Sequence, residues 1–200
     1  MAGWTHIRGW GGNLVIRELL QLPDGRIGSK WMEEITPDTG QPRMLADTID
    51  GERTFPADSR SFLLEFTVQP VGMSSGRIGV SFLPKNGEQA SCELQLRLDD
   101  LRAQFGPGSL HGFADNQKSL REGGAPHGNG DYAIENLIGV DRPFNVRVIV
   151  KSDDKIGGAL IDAEIAGQRT MLTYRPDLLV RKLLFRLENA ELRHVQTAPL

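Results

Sequence analysis

The 200-residue chain is short of several things at once. Its one cysteine, Cys92, excludes an internal disulfide framework and leaves the compartment unread. Lysine and arginine number 23 against 26 aspartates and glutamates, a net charge of −3, so the basic footprint of a nucleic-acid binder is missing. No apolar run nears the ~20 residues of a membrane-spanning helix. The histidines His6, His111, His127 and His194 share no metal-ligand spacing, and no C-x-x-C occurs. No serine stands in a G-x-S-x-G turn. "GPGSLHG" at 106–112 lacks the lysine of a phosphate loop, and no helix signal follows it. The expectation is therefore no metal, no cofactor, no nucleic acid and no membrane.

The opening "MAGWTHIRGW" has no basic stretch ahead of an apolar one, so no signal peptide is read there. Starting on tryptophan and glycine, it is expected to be a piece of a longer chain, with Met1 and Ala2 as an added start.

What the chain does have is turn formers and alternation. Glycine (23) and proline (11) divide it into many short segments. Residues 13–22 and 27–35 read as a hairpin around "PDGR", where Pro23 presets φ, Asp24 closes an Asx turn and Gly25 accepts positive φ. Residues 36–60, rich in proline and glycine, read as a connector. Phe62, Leu64, Phe66 and Val68 alternate, as do Cys92, Leu94, Leu96 and Leu98, with Glu93, Gln95 and Arg97 on the other side. This period of two marks sheets with one buried face. A polar loop spans about 106–130. Alternation returns at Phe144, Val146, Val148 and Val150, then at Ile161, Ala163 and Ile165, and continues to 196; segment 178–188 is read as a strand. With nine to eleven strands expected and no βα alternation, the fold class is all-β, an antiparallel β-sandwich or jelly roll.

Two features could carry function. Asp162 and Glu164 stand two apart in a strand, so both carboxylates leave one face, and paired carboxylates hydrolyse glycosides. The segment resembles the E-x-D-x-E strand of jelly-roll glucanases of the laminarinase and lichenase type. Leu160, however, stands where the nucleophile would be. The favoured reading is a strand with a solvated outer face; an endoglycosidase using Asp162 and Glu164 is the weaker one. "DD" at 99–100 and "SDDK" at 152–155 read as turns rather than calcium ligands. The second feature is Trp4, Trp10 and Trp31 within the first 31 residues. With Leu14 and Ile16, Trp10 and Trp31 would form an apolar patch that marks a partner surface. A carbohydrate-binding module is the rival reading, with His127, Asp131 and Tyr132, or Asp162 and Glu164, as candidate ligand contacts.

The stretch "GWGGNLVIRELLQLPDGRIGSKWMEEI" (9–35) resembles the junction of glycoside hydrolase family 32, the β-fructosidases, where a five-bladed propeller ends in G-W-x-G…P-R-E-L…D-G-x-L…P-x-x-E-L. Gly9, Trp10 and Gly12 match the opening. Arg17, Glu18 and Leu19 match R-E-L, with Ile16 in place of proline. Asp24, Gly25 and Ile27 match the turn, and Glu34 and Ile35 the closing pair. The resemblance implies that 1–36 is a junction hairpin from the end of a catalytic domain, and that 37–200 is a sandwich of the concanavalin A-like lectin/glucanase type. It also implies a secreted or periplasmic parent. The family's catalytic motifs W-M-N-D-P-N-G, R-D-P and E-C do not occur. The implied role is thus a non-catalytic support for an N-terminal catalytic propeller, with no catalytic residue of its own and carbohydrate as a further partner.

Overall fold

A computed structural model of the protein describes residues 2–4, 14–35, 37–71, 76–85, 92–106 and 132–200. The N-terminal part forms two small ribbons. Strand β1 (Ala2–Trp4) pairs with β2 (Leu14–Ile16), and β3 (Glu18–Gln21) pairs with β4 (Ile27–Lys30). The second ribbon is the expected hairpin. Asp24 Oδ1 accepts the Arg26 amide at 3.1 Å as an Asx turn requires, and Gly25 takes φ +84°. The expected long strands are cut short, however. The first is interrupted at Arg17, and 33–35 forms a single 3₁₀ turn.

Twelve strands follow: β5 (Arg43–Ile49), β6 (Arg53–Pro56), β7 (Ser61–Pro70), β8 (Arg77–Leu83), β9 (Cys92–Arg97), β10 (Arg102–Gly106), β11 (Tyr132–Ile134), β12 (Phe144–Asp153), β13 (Gly158–Ile165), β14 (Arg169–Pro176), β15 (Lys182–Glu188) and β16 (Ala190–Pro199). They form two six-stranded antiparallel sheets. The first runs β11-β10-β9-β8-β15-β6 and the second β14-β13-β12-β7-β16-β5. The all-β sandwich expected from the alternation is thus the observed architecture. Segment 178–188 does supply a strand, β15. The connector expected over 36–60 is overturned, because β5 and β6 lie within it as the edge strands that close each sheet. Their half-exposed pattern hides the period that a central strand displays.

Between the sheets lies one continuous apolar core. Leu64, Phe66, Val146, Val148, Ile161 and Ile165 come from the second sheet, and Ile78, Val80, Leu94, Phe105 and Phe185 from the first. Phe66 meets Phe185 edge-on across the layers, with ring centroids 6.2 Å apart. Cys92 is a buried core residue. Two sharp turns shape the second sheet. Gly157 takes φ +65° after β12, and its carbonyl accepts a bond from the Tyr174 hydroxyl at 3.0 Å. After β13, Ala166 and Gly167 both adopt positive φ. The acidic pairs at 99–100 and 153–154 fall at strand ends and turns, as read from sequence.

Candidate functional site

The outer face of β12 and β13 is where the two carboxylates emerge. Alternation sends Ile161, Ala163 and Ile165 inward and Asp162 and Glu164 outward, as expected. The expected solvation of that face is not what the structure shows. Glu164 is only 4% exposed, and the Asp162 side chain 13%. The N-terminal hairpin lies over them.

Polar contacts hold it there. Arg17, at the break between β2 and β3, places Nη2 2.5 Å from Asp162 Oδ2. Trp31, just after β4, donates its indole N–H to Asp162 Oδ1 at 3.2 Å and its backbone N–H to Glu164 Oε2 at 2.6 Å. Arg147, directly opposite Glu164 across the β12–β13 ladder, donates to Glu164 Oε1 through Nε at 2.9 Å and Nη2 at 2.5 Å. Its guanidinium carbon also lies 4.9 Å from the centre of the Trp31 ring. Beside this cluster Ser29 Oγ and Thr170 Oγ1 share a bond of 2.7 Å, the Ser29 amide donates to the Gln168 carbonyl at 2.9 Å, and Arg169 donates to the Ile27 carbonyl at 2.6 Å. Gly28 is required by this approach, since a Cβ there would sit 2.6 Å from the Gln168 carbonyl oxygen.

Two carboxylates are therefore balanced by two guanidiniums, and all four carboxylate oxygens are hydrogen-bonded. Burial pushes the Asp162 carboxyl above its ordinary value, against the opposing pull of Arg17 and the Trp31 indole. While the hairpin is seated, neither acid is available to a substrate.

The other sequence candidates scatter. Trp31 is 4% exposed, with its ring against the Arg147 guanidinium and its indole N–H on Asp162. Leu14 is 51% exposed and Ile16 half-buried. Tyr132 opens β11, in register with Phe105. Trp10, His127 and Asp131 lie outside the described residues. Arg17 and Arg147 were not read as site residues from sequence. Arg147 could have been found from an opposite-charge cross-strand pair once the register was known, whereas nothing local links Arg17 to a residue 145 positions away. Among the described residues, no group of three metal-ligating side chains occurs and no helix is long and apolar enough to cross a membrane.

A second polar group lies on the outer face of the first sheet. Glu93 accepts from Ser81 Oγ at 2.6 Å and from the Gln95 amide, and Gln104 donates to Gln95 at 2.7 Å. All four residues are at most 3% exposed, so the polar side of the alternation at 93–97 is largely buried as well.

Two six-stranded antiparallel sheets packed on one apolar core define a β-sandwich. No family profile and no curated protein matches the chain. Solved structures do. Over 95% of this chain, the fructofuranosidase of Schwanniomyces occidentalis complexed with fructose matches at a TM-score of 0.55 and 9% identity. The GH32 β-fructofuranosidase of Bombyx mori matches over 96% at 0.55 and 12%, and the exo-inulinase of Aspergillus awamori over 96% at 0.53 and 8%. The chain spans 41%, 34% and 36% of those proteins, and the likeness is to their C-terminal β-sandwich part. At such identities it is a likeness of fold.

Proposed function

We propose that this chain is a non-catalytic accessory β-sandwich that supports the catalytic propeller of a family-32-like glycosidase, with the N-terminal hairpin as the joint between them. The observation that carries this reading is that the hairpin is anchored by polar contacts and yet leaves large apolar side chains uncovered. Arg17, Ser29 and Trp31 fix it to the sandwich. Leu19 and Ile27 in the hairpin are 49% and 64% exposed, and Leu14 in the adjoining ribbon is 51% exposed. Apolar side chains left open on a polar-anchored element are the mark of a surface meant to be covered. The likeness to the sandwich part of fructofuranosidases supports a propeller as the covering body. The acids that could have served hydrolysis serve instead as the anchor.

Sedimentation velocity on the isolated chain tests this. The uncovered hairpin is expected to drive concentration-dependent self-association, abolished by Leu19→Glu together with Ile27→Glu. A strictly monomeric chain at high concentration would remove the support for a covered hairpin.

A further inference from the structure

The geometry points to a ligand site that the supporting role does not use: the cleft between loop 135–143 and turn 166–168 is shaped for a small hydroxylated carboxylate of the sugar-acid class, such as a hexuronate. The cleft has a volume of about 500 Å³, within the ~300–1,000 Å³ range of small-molecule pockets. It borders the anchor described above, and two of its polar side chains, Arg142 and Gln168, are not committed to that anchor.

Three side chains make the argument. Arg147 forms part of the floor, but its charge is already matched by Glu164. Arg142 lines the same cleft, is exposed, and has no ion-pair partner among the described residues. Gln168 has a fully committed backbone, its amide donating to Ile165 and its carbonyl accepting from Ser29, while its side-chain Oε1 is buried without a hydrogen-bond partner. The Gln168 amide and the Arg142 guanidinium converge on Gly139. A Cβ placed on Gly139 would lie 3.6 Å from Gln168 Nε2 and 3.9 Å from Arg142 Nη2. Gly139 itself takes φ +71°, which a side chain there would resist.

The required ligand chemistry follows. Arg142 calls for a planar anion that it can grip with two parallel N–H bonds. The buried Gln168 oxygen calls for a donor, because an unmatched acceptor is costly. A neutral sugar supplies hydroxyl donors but leaves Arg142 without its anion. Hydrogen phosphate answers Arg142, but its O–H sits on the same small group that Arg142 grips, with no frame to carry a donor across to Gln168. A sugar acid carries the carboxylate and the hydroxyls on one small frame.

The test is an NMR titration of the isolated chain with glucuronate, glucose and inorganic phosphate, following the backbone amides of Gly139 and Gly167. Saturable shifts with glucuronate are expected, with affinity falling about tenfold in Arg142→Ala and in Gln168→Ala, and about tenfold for glucose against the unaltered chain. Arg142 is on the surface, so its variant is expected to keep the wild-type spectrum elsewhere. The assignment is overturned if glucuronate leaves Gly139 and Gly167 unmoved, if Arg142→Ala binds it as well as wild type, or if glucose or phosphate binds equally tightly. None of these outcomes bears on self-association of the hairpin, so this site and the supporting role fail separately.

Discussion

The outer faces of the two sheets bury acidic side chains in opposite ways. On the first sheet, Glu93 is held by Ser81 and Gln95, no more than 12 positions away in the chain, and by the buried Arg186, whose Nη1 lies 3.9 Å from Glu93 Oε2, all of them on the same sheet. On the second, Asp162 and Glu164 draw on Arg17 and Trp31, which are 131 to 145 positions distant and belong to a separate hairpin. The first arrangement ties a sheet to itself. The second ties two parts of the molecule together, so its carboxylates do mechanical work that a ladder of amides does not. What the second face adds to a buried ion pair is partners from outside its own sheet. Two guanidiniums and two carboxylates under one hairpin make its seating all-or-none, because removing one member leaves another buried without its partner.

Substituting the acid on each face separates these roles. Glu164→Ala strands Arg147 and the Trp31 amide. A loss of about 3 kcal/mol in urea unfolding is expected, the lower end for breaking a buried pair because Arg147 retains some contact with water. Glu93→Ala strands the Ser81 hydroxyl and the Gln95 amide and removes one of the two carboxylates beside Arg186, which keeps Glu52 at 3.0 Å, and about 2 kcal/mol is expected. The sharper readout is the indole N–H resonance of Trp31, which should move with Glu164→Ala and stay in place with Glu93→Ala. Movement in both would mean that the two faces are not independent.

A glycine on each side gives the next comparison. In Gly28→Ala the new methyl meets the Gln168 backbone oxygen, which cannot swing away. A cost of about 2 kcal/mol is expected, together with faster protease cleavage in the 23–26 turn as the hairpin lifts. In Gly76→Ala, beside the first sheet, the nearest atom at 2.9 Å is the flexible end of Leu98. A smaller cost is expected there, with no change in the hairpin.

How much of this was legible in the sequence follows the same division. The inward residues of β7, β9, β12 and β13 alternate because one face of each strand meets only apolar neighbours, and that is a local property. Whether the opposite face is wet depends on what lies over it, which no strand encodes. So Asp162 and Glu164 read as solvated, and Glu93 and Gln95 as the open side, while all four are largely covered. Strands β5 and β6 were hidden for a related reason: an edge strand buries too little to show a period. Arg17 looked like one letter of a junction motif, and its role appears only when the hairpin is seen folded back on β13.

Acid offers a way to probe the second face alone. The raised value of Asp162 means the folded state holds its proton more tightly than the unfolded chain, whose aspartate titrates near 3.8. The contribution of this group is therefore fully present below that pH and is lost as pH rises through the higher folded value. The stability advantage of wild type over Asp162→Asn, measured by urea midpoint, should shrink as pH climbs from 3.8 toward neutrality. A difference that grows with pH would show that Arg17 outweighs burial, making the contact an ordinary ion pair.

The smallest effect concerns two turns. Ala166 holds φ +53° after β13, and Leu101 holds +50° between β9 and β10. An L-residue in this region pays about 1 kcal/mol, which glycine would not, although glycine also gains freedom in the unfolded chain. Ala166→Gly is thus expected to stabilise by about 0.5 kcal/mol. Leu101→Gly should gain less, because it also gives up a larger side chain that is 43% exposed and so still partly packed. The turn at 166 has a further consequence, for it carries the Gln168 carbonyl that receives the Ser29 amide. Relief of strain there should slow hydrogen exchange at Ser29, whereas relief at Leu101 should leave it unchanged. If Ala166→Gly destabilises instead, its methyl contact with the core outweighs the backbone strain, and the hairpin's footing on the second sheet is set by packing rather than by the turn.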